Sequence, residues 1–114
     1  MRTAALVTCL LLAGCAATPT QVVETGQQST YALKNAPEVA AGCMARNVEK
    51  HYEGNLQAIV RRLEKPESYE VVVRNFPEFT FVYAIAEPQK ATVWVREQWF
   101  SGRDTIAATM TAGC

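Results

Sequence analysis

The chain has 114 residues, eleven of them basic and eleven acidic, so its formal net charge at neutral pH is zero. This length predicts a single domain. The balanced charge, with no run of like charges, argues against nucleic acid and anionic lipid headgroups as partners.

The chain begins with a short signal-like segment. Residues 1–3 supply one positive charge, and residues 4–13 form an apolar run broken only by Thr8. A membrane-spanning helix needs roughly 20 apolar residues, so this run predicts a cleavable signal peptide. Its end resembles the lipobox of bacterial lipoproteins, in the order Leu12-Ala13-Gly14-Cys15.

The resemblance implies a processing site and a location. Residues 1–14 would be the signal peptide, and the sulfur of Cys15 would carry the lipid. Lipoproteins of this kind generally have Asp after the lipidated cysteine when they stay in the inner membrane, whereas Ala16 stands there in this chain. We therefore expect a lipid anchor on the periplasmic face of the outer membrane, kept stable by several acyl chains.

Residues 15–34 are rich in Thr, Gln, Ala and Gly and have no apolar period, which predicts a flexible lipidated tether. Nineteen flexible residues would hold a domain about 25 Å from the membrane. Tyr31 and Leu33 could dock on the domain and shorten this distance. Residues 35–114 are then expected to form the folded domain.

A helix is predicted to start at Asn35-Ala36-Pro37-Glu38 and to end before Gly54. We expect Asn35 to cap it and Pro37 to lie in its first turn, with Glu38 at the capping-box position. The predicted inward face consists of Ala36, Val39, Ala40, Cys43 and Asn47.

Residues 56–63 fit two patterns. Leu56, Ile59, Val60 and Leu63 have helical spacing, but the β-branched pair and the following turn at residues 65–68 favour a strand that ends near Leu63.

Three segments rich in aromatic and β-branched residues then predict an antiparallel meander, at residues 69–74, 79–86 and 91–98. Together these elements predict an α+β fold, with the helix packed on three or four strands. Two rows of side chains are expected to face the helix, and they are Tyr69, Val71 and Val73 on one strand and Phe79, Phe81, Tyr83 and Ile85 on the next.

The opposite sheet face is the candidate partner-binding surface. Alternation places Trp94 there with Arg96, Arg74 and Glu70, and also with Val82. A large aromatic side chain among mixed charges is typical of a recognition surface. The alternative is that the tether, through Tyr31 and Leu33, or the segment near Ile59 covers this face and makes Trp94 part of the core.

The last segment carries Ile106, Met110 and Cys114 four residues apart, with Asp104 as a candidate N-cap, and a short helix is favoured over a strand. Cys43 and Cys114 form an even pair in an oxidising compartment, which predicts a disulfide. A metal or redox pair is the alternative, but the chain has no CxxC spacing and only one histidine.

No catalytic, metal or cofactor site is predicted. The sole histidine, His51, suits a helix end because of the macrodipole, while Glu64, Glu67 and Glu70 suggest a solvated turn and Ser101 a turn residue. The sequence resembles small periplasmic lipoproteins of Gram-negative bacteria in its layout. We expect a non-enzymatic binding or structural module with an envelope protein or glycan as partner, and no nucleic acid.

The alternative function is a hydrolase or an inhibitor that acts on cell-wall or host components. An inhibitor would need a protruding loop, for which residues 76–78 and 99–103 are the candidates.

Overall fold

The computed structural model describes residues 19–52, 56–75, 79–96 and 103–114. The lipobox and the two candidate inhibitor loops, apart from Arg103, therefore lie outside the described residues. The elements in chain order are α1 (Pro19–Thr25), β1 (Gln27–Ala32), α2 (Pro37–His51), β2 (Gln57–Arg62), β3 (Tyr69–Asn75), β4 (Phe79–Glu87), β5 (Lys90–Val95) and α3 (Arg103–Thr111).

The strands form one antiparallel sheet in the order β1-β5-β4-β3-β2. The α+β class and the meander β3-β4-β5 are confirmed, and residues 57–62 form a strand rather than a helix. The sheet has five strands instead of three or four, because β1 adds to the outer edge of β5. Since β1 and β2 lie at opposite edges, α2 connects them across one face.

The extra strand lies in the segment that was predicted to be a flexible tether. Residues 19–32 instead form α1 and β1, and Leu33 is buried while Tyr31 packs against the core, as expected. Composition was misleading here because an edge strand needs an apolar row on one side at most. Gln, Ser and Thr with a single tyrosine satisfy that condition as readily as they satisfy a linker.

Helices cover both faces of the sheet. α2 and α3 pack over one face and enclose the main core, in which alanines of α2 meet alanines and valines of the strands. α1 lies on the other face, where Val22 packs against Val72 and Tyr83. Among the described residues, no helix is long and apolar enough to cross a membrane.

The predicted cap of α2 was wrong and its predicted face was partly wrong, since Ala40 is buried and Cys43 packs against the core as predicted. Ala36 occupies the N-cap position without a side-chain hydrogen bond, and Asn35 donates from Nδ2 to the carbonyl oxygen of Cys114 at 3.0 Å. Val39 is 55% exposed. The buried face is rotated from the predicted one and consists of Ala40, Ala41, Met44, Ala45 and Val48. Small side chains let the helix approach the sheet closely, so packing rather than local capping sets its rotation.

A β-bulge in β4 changes which residues share a face. Val73 pairs with Val82 but Arg74 pairs with Thr80, so Phe81 is the extra residue. Phe81 and Val82 both belong to the α2-side core, and the strand alternates from there.

The predicted side-chain rows were therefore partly wrong. Val71 and Val73 face α2 as predicted, and Tyr69 packs against the same core. Tyr83 and Ile85 lie instead on the α1 side, and Val82 does not lie with Trp94. The side chain of Phe79 is outside the described part.

The predicted disulfide and the C-terminal helix are confirmed. Cys43 and Cys114 are bridged with an S–S distance of 2.05 Å and a Cα–Cα distance of 5.7 Å. α3 begins at Arg103, one residue before the predicted cap at Asp104. Asn47 on α2 donates to the carbonyl oxygens of Met110 and Ala112 at 3.0 Å, so α2 holds the C-terminus by the bridge and by hydrogen bonds.

Candidate functional site

The sheet face beneath α1 holds the aromatic residue that the sequence singled out. Trp94 lies opposite Tyr83 on the neighbouring strand, with their ring centroids 5.8 Å apart. Both rings pack in the cluster that contains Val22, and Trp94 is half-buried. The tether segment thus covers this face, as one of the two interpretations expected, but through Val22 rather than through Tyr31 or Leu33.

Glu70 is the buried charge of this face. Its exposure is only 6%, which corrects the prediction of a solvated turn; Glu64 and Glu67 are exposed as expected. Tyr83 donates its hydroxyl hydrogen to Glu70 Oε1 at 2.9 Å. Arg61 donates from Nε to Oε2 at 2.6 Å and approaches the same oxygen with Nη2 at 2.5 Å. Both carboxylate oxygens therefore accept charge-assisted hydrogen bonds.

Arg61 is a site residue that the sequence did not single out, as are Tyr83 and the α1 residues of the pocket. It lies directly opposite Glu70 in the β2–β3 hairpin, and cross-strand neighbours of opposite charge attract each other. Its side chain is nevertheless 67% exposed. Hairpin register was the signal that could have found this pair, but it is usable only once residues 57–62 are known to be a strand.

The hydroxyl of Tyr83 is held in its protonated form. Burial and the hydrogen bond to Glu70 raise the pKa of Tyr83 from 10.0 to about 12. A phenol with this pKa is a hydrogen-bond donor at neutral pH and does not act as a base. The Arg61, Glu70 and Tyr83 side chains thus form a fixed arrangement of donors and acceptors, which suits binding better than proton transfer.

These three side chains form the sheet side of an open pocket of about 490 Å³. Its other side is formed by α1, through Pro19, Thr20, Val23 and Glu24. This volume lies within the range of small-molecule sites, roughly 300–1,000 Å³. Guanidinium, carboxylate, phenol and valine side chains meet in it, so the pocket offers charges of both signs beside an apolar surface.

The other predicted members of the binding face lie away from this pocket. Arg74 is four residues from Glu70 along β3, a distance of about 13 Å, and pairs with Thr80. Arg96 is joined to the same end of the sheet by its backbone N–H, which donates to the Phe81 carbonyl oxygen at 2.8 Å. Neither arginine lines the pocket, and neither does Trp94, which only packs beside it against Tyr83. The structure therefore brings Glu70 and Trp94 close to one another through Tyr83 and leaves Arg74 and Arg96 at the far end of the strands.

The remaining chemical candidates do not converge. His51 is exposed at the last turn of α2, with its ring 6.1 Å from that of Tyr52. Within the described ranges, no three His, Cys, Asp or Glu side chains are placed to hold a metal ion. Ser101 lies outside the described residues.

No protein-family model, curated protein or solved structure matches this chain. The site therefore has to be interpreted from its own chemistry.

Proposed function

We propose that this protein is a bacterial outer-membrane lipoprotein, anchored through lipid on Cys15, and that it works as a non-enzymatic module that binds another component of the cell envelope. The disulfide between Cys43 and Cys114 supports export, because such bonds persist in oxidising compartments and are rare in the cytosol. The lipobox, which the sequence alone supplies, supports the anchor.

The observation that carries the binding role is the ion pair between Arg61 and Glu70 on the floor of the pocket. Glu70 is buried and its two oxygens are occupied, while most of the Arg61 side chain is open to solvent. Glu70 orients the guanidinium, and the guanidinium is the group that a partner can reach. Orientation of an exposed charge before binding lowers the entropy that a partner must overcome.

The anchor is tested by Cys15→Ser, which replaces the acceptor thiol with a weaker nucleophile. We expect the wild-type protein to incorporate labelled palmitate and to fractionate with the outer membrane. The variant should remain an unprocessed precursor without label. Equal labelling of the two proteins would refute the lipoprotein assignment.

The binding role is tested by photocross-linking in cells from two exposed positions. A photoreactive amino acid at Thr20 lies on the pocket rim, and one at Glu49 lies on α2 on the other side of the sheet. We expect a defined adduct from Thr20 and none from Glu49. The mass of that adduct distinguishes an envelope protein or a glycan, which the sequence predicts, from a lipid. Identical, diffuse adducts from both positions would contradict a binding role for the pocket.

A further inference from the structure

The chain between the lipid anchor and the folded domain is very short. α1 begins at Pro19, only four residues after Cys15. Four residues span at most about 14 Å even when fully extended. If Cys15 carries lipid, the domain is therefore held at the bilayer surface and not about 25 Å away, as a tether of nineteen flexible residues would hold it.

The side of the domain from which this short connection leaves is also known. Pro19 lines the pocket, and α1 packs on the sheet face opposite α2 and α3. The connection to Cys15 therefore starts on the side of the domain that carries the pocket. A rim residue within about 14 Å of a lipidated cysteine leaves little room for another macromolecule between the pocket and the headgroups.

The charges of the pocket indicate which headgroup fits. Two carboxylates, Glu24 and Glu70, face one guanidinium, that of Arg61. Their sum is negative, so a purely anionic headgroup would be repelled. Glu24 is exposed and can accept hydrogen bonds from an ammonium group. Arg61 contacts Glu70 through Nε and Nη2, and its remaining donors can bind a phosphate oxygen.

We propose that the pocket faces the bilayer and takes the headgroup of a zwitterionic phospholipid that carries a primary ammonium, with the ammonium at Glu24 and the phosphate at Arg61. This inference rests on the proposed function, since it requires lipid on Cys15, and it makes that function more specific by naming the partner. Val23, which is 37% exposed on the same rim, lies beside the charged groups and adds apolar contact with the interface.

The test uses the full lipidated protein in vesicles of phosphatidylethanolamine and phosphatidylcholine. A carbodiimide joins a carboxylate to a primary amine only where the two are in direct contact, and mass spectrometry of the peptides locates the lipid adduct. We expect the adduct at Glu24 to exceed that at Glu49 by roughly tenfold or more, because the anchor raises the local lipid concentration at one side only. Vesicles of phosphatidylcholine alone, which has no primary amine, should give no adduct.

Three further experiments distinguish the effect of the pocket's position at the bilayer from the effect of its charged groups. Glu24→Gln should remove the adduct. Twenty Gly/Ser residues inserted between Ala17 and Thr18 should lower the yield several-fold, since the domain can then turn away from the bilayer. A primary amine on a lipid without phosphate should also react several-fold less than phosphatidylethanolamine, because Arg61 then has no ligand.

Equal adducts at Glu24 and Glu49, or none at Glu24, would overturn the inference. Equal yield from the phosphate-free amine would overturn the role of Arg61, and a protein or glycan adduct from Thr20 in cells would overturn lipid as the partner. In each of these cases, incorporation of labelled palmitate at Cys15 tests the proposed lipoprotein function independently. Absence of palmitate from the same preparation would refute the lipoprotein assignment itself.

Discussion

Replacing Tyr83 by Phe should destabilise the protein by about 1.5–3 kcal/mol, because a hydrogen bond to a charged group contributes about that much. The substitution removes only the hydroxyl that donates to Glu70 Oε1 at 2.9 Å and leaves the ring that packs on Trp94. The value should fall near the lower limit, since water in the open pocket can partly replace the donor. For a domain of this size, 1.5 kcal/mol corresponds to a fall in Tm of roughly 6–12 °C.

Urea titration followed by circular dichroism measures this effect, and the m-value should stay unchanged. Tyr31→Phe is the matched control, because Tyr31 also packs against a core but its hydroxyl makes no hydrogen bond within the described residues. It should change the free energy of unfolding by less than about 0.5 kcal/mol. In a Glu70→Gln background the cost of Tyr83→Phe should fall to about 1 kcal/mol, the value for a neutral hydrogen bond. A loss below 0.5 kcal/mol in the wild-type background would refute the buried charge-assisted bond.

The pH dependence follows from the raised pKa of Tyr83. Below pH 10 the phenol is protonated in both the folded and the unfolded states, so its contribution is fully present. Between about 10 and about 12 the unfolded state loses this proton first, and the contribution declines as the pH rises through the folded pKa. The difference in stability between wild type and Tyr83→Phe should therefore narrow across that interval. A constant difference up to pH 12 would contradict the raised pKa.

Three other predictions concern the packing of the domain. Gly26→Ala should destabilise it by about 1–3 kcal/mol, because a Cβ there would overlap the Val22 carbonyl oxygen at the end of α1 and lie 3.0 Å from the Val95 carbonyl oxygen of β5. Gly42→Ala, within α2 and near only a flexible arginine end, should be neutral or stabilising by up to about 1 kcal/mol. Equal effects in thermal melts would show that the turn from α1 into β1 does not pack against β5 in this way. Reduction of the Cys43–Cys114 bridge should add about two daltons to the intact mass and lower the free energy of unfolding by about 4 kcal/mol. Two freely alkylated thiols in protein prepared without a reductant would disprove the bond. Trp94→Ala should lower the free energy of unfolding by about 1.5–3 kcal/mol in a denaturant titration. This is roughly half the value for a fully buried aromatic, because Trp94 is half-buried. A loss under 0.5 kcal/mol would show that α1 leaves this face uncovered.

Several features of the fold could be predicted from single residues or short patterns. If residues 1–14 are a signal peptide and Cys15 carries lipid, as the sequence predicts, Cys43 and Cys114 are the two cysteines that remain, and one intramolecular pairing is left. The turn residues around Pro66 and Pro88 separate strands whose composition suits no other element. Each of these predictions depends on neighbouring residues or on the exclusion of other cysteine pairs, so none of them requires knowledge of the tertiary packing.

The face assignment in β4 could not be predicted in this way. Residues 79–86 are apolar on both sides of the strand, apart from one threonine, because helices cover both faces of the sheet. A bulge at Phe81 therefore leaves no trace in the hydrophobic pattern, yet the one extra residue moves Tyr83 to the other face. Without that shift Tyr83 could not donate to Glu70.

The candidate site likewise combines features that the sequence determines with features that only the tertiary structure decides. The sequence by itself determined the disulfide, the meander and the presence of Trp94 and Glu70 on one face, since all of these follow from residue type and a period of two; the anchor at Cys15 stays a prediction. Only the tertiary structure decided that residues 19–25 form a helix over that face, that Arg61 faces Glu70 and that the two with Tyr83 form the floor of a pocket. The physical reason is that the pocket joins α1 to β2, β3 and β4, and β1 and α2 separate α1 from these strands along the chain. The stability of these contacts comes from burial and paired charge, which no local pattern records.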